Sequence, residues 1–150
     1  MKILAFDLAT RTGWCCMVDG VVYESGVQDF AKKRGESNGL LFMRARRWLR
    51  DLADLMKPDM LAYEQAHFRG GAATEICVGL QTRVQELGAD LGIETAPVST
   101  GALKKFATGN GAAGKSEMMS WAAAQLQRPP LDDNEADAVA VAFWAASTFA

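Results

Sequence analysis

Three acids from distant parts of the chain, Asp7, Glu64 and Asp137, stand where acids are costly. Asp7 closes the apolar run Ile3-Leu4-Ala5-Phe6, and Glu64 closes Met60-Leu61-Ala62-Tyr63. Asp is a poor strand former, and an ionised carboxylate set against a core needs water, a cation or a donor. Taken alone, Asp7 reads equally well as a residue that starts a turn. Asp137 is more telling. Just before it, Asp132 and Glu135 fit the D-x-x-E form of a capping box, and Asp133 and Asn134 suit a first helical turn, where the helix dipole favours negative charge. Capping does not account for Asp137, which lies further in, precedes Ala138-Val139-Ala140-Val141-Ala142, and has no Lys or Arg at i±3 or i±4. Asp133 and Asn134, at i−4 and i−3, share its face as further oxygen donors. Such a set suits a hard cation, Mg²⁺ or Mn²⁺. Two ions bridged by a carboxylate, roughly 3.5–4 Å apart, clamp the attacking and leaving oxygens in phosphodiester hydrolysis. The competing reading is three unrelated surface acids.

Two other stretches could meet phosphate or bases. Gly109-Asn110-Gly111-Ala112-Ala113-Gly114-Lys115-Ser116 matches G-x-x-x-x-G-K-[ST], the phosphate-cradling P-loop. A P-loop follows a buried strand, however, and the preceding residues 100–107 carry Gly101, Lys104 and Lys105 without a strand pattern. The better use of this segment is a local basic patch: Lys104, Lys105 and Lys115 flank a glycine-rich loop whose amides can approach a phosphate. No nucleotide cofactor is expected. His67-Phe68-Arg69 follows Glu64 closely and offers an aromatic ring and a cation to stack on or hold an unpaired base, or else forms a simple loop.

The elements that must position these residues follow from periodicity. Residues 3–8, 12–18 and 21–30 read as strands, the last two joined by Asp19-Gly20, a strong hairpin signal. Residues 40–57 turn helical, with Leu41, Ala45, Trp48, Leu52 and Leu55 on one face and Arg47–Asp51 and Arg50–Asp54 as surface pairs. Residues 60–64 and 93–98 are short strands. Helices are predicted over 72–92, 103–107, 115–126 and 133–148, the second expected to be short, with Ile76, Leu80, Val84 and Leu87 inward in the first. Three meandering strands followed by strands alternating with helices predict an α/β domain with a mixed five-stranded sheet.

Composition bounds the rest. With 150 residues, 49% apolar and 23% charged, the chain is one globular domain, residues 1–150, without a disordered stretch. Its net charge of −2 supplies no bulk attraction to nucleic acid, so phosphate binding must come from a local patch. Three cysteines and one histidine make neither a disulfide framework nor a zinc site. No signal peptide or membrane span is expected, and a cytoplasmic location, in a bacterium or an infected host cell, fits best.

Four motifs in order then resemble one family. The strand with Asp7, the Tyr63-Glu64-Gln65 strand end, the Leu103-Lys104-Lys105…Gly109-x-Gly111…Lys115 segment and Glu135-Ala136-Asp137-Ala138-Val139-Ala140 resemble the RuvC family of Holliday-junction resolvases, above all its compact phage and prophage members. The resemblance spans almost the whole chain. It implies an RNase H-like fold, a homodimer that sets two active sites on a four-way junction, and Mg²⁺- or Mn²⁺-dependent nicking, with two ions per site, that leaves 5′-phosphate ends. It places Asp7, Glu64 and Asp137 at the metal-ligand positions and Lys104 and Lys115 at basic positions beside the scissile phosphate. One departure stands out: the family's fourth ligand, an Asp or His three residues before the last acid, is Asn134 here. An amide oxygen brings no charge, so weaker binding of a second ion is expected unless Asp133 substitutes. The aromatic wedge is also shifted, with His67 in its place and Phe68 next. A junction-binding protein with little catalysis, an RNA-processing nuclease of the same fold and a P-loop ATPase are the alternatives.

Overall fold

The computed structural model describes residues 1–67 and 70–150. Ten elements follow one another: β1 (Lys2–Asp7), β2 (Arg11–Val18), β3 (Val21–Asp29), α1 (Asn38–Met56), β4 (Met60–Glu64), α2 (Gly71–Leu91), β5 (Glu94–Val98), α3 (Thr100–Thr108), α4 (Lys115–Leu126) and α5 (Asp133–Phe149). The sheet order is β3-β2-β1-β4-β5, with β1, β2 and β3 antiparallel and β1, β4 and β5 parallel. This is the expected mixed five-stranded α/β sheet. The β2–β3 turn also forms as expected: Asp19 and Gly20 both have positive φ, 50° and 81°, as a two-residue I′ hairpin turn requires.

Strand alternation sorts β1 and β4 into two cores, one on each face of the sheet. Ile3, Ala5, Met60 and Ala62 join α3, α4 and α5; Leu4, Phe6, Leu61 and Tyr63 join α1 and α2. By the same period of two, Asp7 and Glu64 belong to the α5 face. Cys15 and Cys16 are both buried, one in each core. Among the described residues no helix is long and apolar enough to cross a membrane.

Two expectations about α1 change. Its buried residues are Leu41, Ala45, Leu49 and Ala53, so the inward stripe runs one position beyond Trp48 and Leu52, and Leu55 is 77% exposed. Its arginines pair between elements rather than along the helix: Arg46 with Glu86 at 3.0 Å, Arg50 with Asp90, and Arg44 with Glu36. An acid on a neighbouring element competes with one at i+4 when two helices pack side by side.

Helix α5 lies close against the sheet because its inner face is built of small residues, Ala136 and the run Ala138 to Ala142, all fully buried. The closest approach is at Gly13 of β2, the partner of Asp7 across the β1–β2 ladder. A Cβ there would sit 1.9 Å from the Asn134 carbonyl oxygen and 2.3 Å from its carbon. These are backbone atoms and cannot swing aside. We expect Gly13→Ala to lower stability by about 3 kcal/mol through overpacking, read by urea denaturation; a change within experimental error would show that α5 does not press on β2 there.

Candidate metal centre

Register carries the first two acids together. In the parallel β1–β4 pair, Ile3 faces Met60 and Phe6 faces Tyr63. One step further along the same register sets Asp7 opposite Glu64, both at the strand ends and both on the α5 face. Helix α5, crossing that face, supplies Asp137 on its second turn. One carboxylate oxygen from each of Asp7, Glu64 and Asp137 lies within 4.8 Å of the other two, the one such acidic cluster among the described residues.

The cluster is electrostatically incomplete. Burial, followed by repulsion from Glu64, Asp137 and Asp133, holds the Asp7 carboxyl well above the usual carboxylate range. Asp137 is pushed up to about 7, first by burial, then by Glu64 and Asp133, with Lys104 and Lys115 pulling the other way. Burial also raises Glu64, and Lys104 opposes it. Half-buried carboxylates that repel one another to this degree are a site short of positive charge, and an oxygen-seeking divalent cation matches the donor set.

The residues flanking α5's start resolve into separate tasks. Asn134 turns aside: its amide Nδ2 donates to Asp132 Oδ2 at 3.3 Å. Asp132 is the N-cap, accepting from the Glu135 amide at 3.0 Å and from Arg11 Nε at 3.2 Å. Asp133, the first helical residue, is the one whose charge reaches both Asp7 and Asp137, and its carboxylate pairs with Lys115 Nζ at 3.4 Å. Glu135 departs from the expected capping box. It accepts from the Leu131 amide, not from that of the N-cap residue, and also bonds Arg128 and Ser25. Sequence reasoning missed this use of Glu135, Arg128, Ser25 and Gly13. The available signals were an acid at the head of an all-apolar run and a glycine inside a strand pattern.

The basic patch is only partly assembled around the acids. Lys104, half-buried on α3, and Lys115, exposed at the start of α4, are the lysines whose charges act on the cluster. Lys105 is exposed beside Lys104, and its carbonyl accepts the Gly109 cap amide at 2.8 Å. The P-loop match does not correspond to a P-loop: the segment joins helix α3 to helix α4 and no strand enters it. The amide of Gly114 at α4's start donates to the helix's own Glu117 at 3.5 Å, an acid where a phosphate would have to bind. Helix α3 is also longer than the short helix expected, starting at Thr100 because Ser99 caps it through the Ala102 amide at 3.2 Å.

His67 and Thr100 share a hydrogen bond between Nε2 and Oγ1, tying the segment after β4 to the first residue of α3. Phe68 and Arg69 lie outside the described residues. Asp7, Glu64, His67 and Cys77 line a cleft of 310 Å³ between the strand ends and α2. A larger recess of 570 Å³ between α1 and α2 holds none of the acids and is walled by the paired charges Arg46, Arg50, Glu86 and Asp90. Two of the three clustered acids, Asp7 and Glu64, open onto the smaller cleft.

No protein-family model matches the chain, and no curated protein sequence does. Solved structures do. The RuvC structure from Thermus thermophilus superposes with a TM-score of 0.80 at 19% identity, covering 97% of this chain and 95% of that one. T. thermophilus RuvC in complex with a Holliday junction substrate gives 0.82, also at 19% identity, covering 98% and 96%. The yeast mitochondrial Holliday junction resolvase Ydc2 gives 0.68 at 13% identity, covering 94% of this chain and 75% of that one. The chain therefore has the RNase H-like fold of RuvC over nearly its full length.

Proposed function

We propose that this protein is a divalent-metal-dependent endonuclease that resolves four-way DNA junctions and related branched DNA by paired nicks, a phage-type resolvase of the RuvC kind. The single observation that carries the proposal is the convergence of Asp7, Glu64 and Asp137 within 4.8 Å at the strand ends of a fold shared with a junction-bound RuvC. In this reading Asp7, Glu64 and Asp137 hold the metal, with Mg²⁺ the natural ion, Mn²⁺ a substitute, and two ions per site. Held by these acids, such an ion would supply Lewis-acid polarisation of a phosphate and activation of water.

The chain's own residues do the rest. Asp7, on the strand between β2 and β4 and repelled by both Glu64 and Asp137, would be shared most closely with the other two acids in holding the metal. Asp133 is favoured over Asn134 as a fourth ligand because it brings a charge that acts on both Asp7 and Asp137, whereas a neutral amide brings none. Lys104 and Lys115 flank the acids and offset the phosphate's charge, and Lys115 would leave Asp133 to do so. Lys105 and His67, together with Phe68 and Arg69 of the sequence, are the further candidates for DNA contact, His67 from the cleft that Asp7 and Glu64 line. A four-way junction has two-fold symmetry, so paired nicks call for two copies of this site and hence a homodimer.

The proposal is tested on one gel: a four-way junction, a flap and a linear duplex, each incubated with Mg²⁺, with Mn²⁺ and with chelator. Nicking of the junction in preference to the duplex, dependent on metal, is expected. Binding without nicking under any metal would establish instead a junction-binding protein with little catalysis. A companion pair addresses the fourth ligand. Asp133→Asn is expected to lower nicking about 10- to 100-fold, the usual effect of weakening a metal site's support, whereas Asn134→Ala stays within a few-fold. The reverse ranking would return the fourth position to Asn134.

A further inference from the structure

Among the described residues, the one fully buried acid is Glu135, at 0% exposure. Its carboxylate is saturated. Oε1 accepts from Arg128 Nη1 at 3.0 Å and from the Leu131 amide at 2.7 Å; Oε2 accepts from Arg128 Nη2 and from Ser25 Oγ, each at 2.7 Å. Arg128 also donates to the Pro129 carbonyl at 3.0 Å and to Ser25 Oγ at 3.2 Å. One carboxylate thus joins edge strand β3, the Pro129-Pro130 segment and the first turn of α5. The helix cap uses only the backbone amide of Glu135, donated to Asp132, and accounts for none of these four bonds. Burying an ion pair contributes little to net stability, because desolvation offsets most of the attraction; its attested use is to fix one arrangement among several.

Such a fixing is needed here. The face that α5 lays on the sheet is almost entirely alanine and valine, and small side chains interlock weakly with the strands beneath. That face supplies adhesion, but little that resists sliding or rotation of the helix about its axis. A metal site demands ligands held to within about 0.5 Å. Asp137 and Asp133 each stand two residues from Glu135 on the same helix, so whatever fixes Glu135 fixes them. Gly13, on the strand next to β3, lets the Asn134–Glu135 backbone seat against β2, giving the lock a backstop.

We infer that Glu135, clamped by Arg128 and Ser25, is a positioning residue that sets the axial seat of α5 and thereby aims Asp137 and Asp133 at Asp7 and Glu64. The inference rests on the metal-site reading above. It is tested by titrating Mn²⁺ into the full chain by calorimetry, with unfolding temperature measured alongside. Glu135→Gln and Arg128→Ala should each weaken Mn²⁺ binding at least about tenfold, as supporting partners of metal ligands do. Leu49→Ala, a cavity in the core on the other face of the sheet, should lower the unfolding temperature as much or more yet leave Mn²⁺ affinity within about twofold, since distant sites act independently. Glu135→Gln keeps the side chain's shape and removes the buried charge, whereas Arg128→Ala strands that charge, so the unfolding temperature shows which variant remains folded. Unchanged Mn²⁺ affinity in a folded Glu135→Gln or Arg128→Ala would overturn the inference. So would an equal loss in Leu49→Ala. Asp7→Asn separates the two levels: if it binds Mn²⁺ as the wild type does, the metal-site reading itself falls, whereas loss in Asp7→Asn without loss in Arg128→Ala sinks the lock alone.

Discussion

Replacing Asp7 by Asn is expected to abolish the proposed metal-dependent nicking and to make the metal-free protein more stable. The two effects share one cause. Asp7 lies at the centre of the repulsion, its carboxyl pushed up by burial and by Glu64, Asp137 and Asp133 together. An amide of the same shape keeps the packing and removes that repulsion. We expect a gain of about 0.5–2 kcal/mol, the usual return from relieving a strained active site, or roughly 2–4 °C per kcal/mol in a chain of this length. The sign sets the pH window. A carboxyl whose folded pKa is raised disfavours folding increasingly as pH climbs above its unfolded value near 4, and the penalty is complete only once the folded pKa is passed. The gain from Asp7→Asn is therefore small at pH 4 and grows as pH rises toward and through the raised folded pKa. Activity moves the other way. Losing a charged group that serves the transition state costs about 10³-fold or more in turnover. Junction binding, which rests on phosphate contacts, stays close to wild type. Thermal melts with chelator at pH 4.5 and pH 8, alongside nicking assays, check both halves. A variant that nicks at full rate, or is destabilised at pH 8, would show that Asp7 is an ordinary surface acid.

How far the sequence foretold this arrangement depends on the range of the interactions involved. Asp7 and Glu64 were legible because strand alternation is local: the acid at the end of an apolar strand shares a face with every second residue before it. Asp137 was legible because an acid without cap or counter-ion stands out on an apolar helix. The five-stranded sheet followed from strand and turn signals read over a few residues. Glu135 was not legible in the same way. Its nearest neighbours suggest a capping box, and its partner Ser25 is 110 residues away, on a strand whose contact with α5 no local pattern announces. The arginines of α1 misled for a related reason, since an i+4 acid is visible in sequence and an acid 40 residues away on α2 is not. The face of α1 was read one position too early because Trp48 and Leu52 are apolar, yet Leu49 and Ala53 point more directly at the sheet. The P-loop match shows the converse error: the pattern is correct, but helices on both sides and an acid at the amide exclude its chemistry. Which of Asp133 and Asn134 faces the acids depended on the rotation of one helical turn, a quantity no motif contains.

Metal affinity should depend steeply on pH, and more steeply than for a site built of ordinary carboxylates. A cation binds the ionised acids, so protons held by the metal-free cluster must leave first. Asp137, with a pKa of about 7, is half protonated at neutrality. For that group alone, moving from pH 8 to pH 6 weakens Mn²⁺ binding about tenfold, the ratio of the free carboxylate at the two values. Asp7 and Glu64, whose carboxyls are also raised, add to this, with Lys104 opposing the shift of Glu64. Below pH 4 the metal-free protein carries no penalty from these acids; between pH 4 and pH 7 it loses stability as they ionise against one another. Bound metal reverses that slope, because the same charges then face a cation. The unfolding temperature with saturating Mn²⁺, minus that with chelator, should therefore be near zero at pH 4.5 and rise through pH 8. Calorimetric titrations in buffers of different protonation enthalpy should show protons released on binding at pH 6.5 and fewer at pH 8. A difference in unfolding temperature that is flat from pH 5 to pH 8 would mean that the three acids do not meet at one cation.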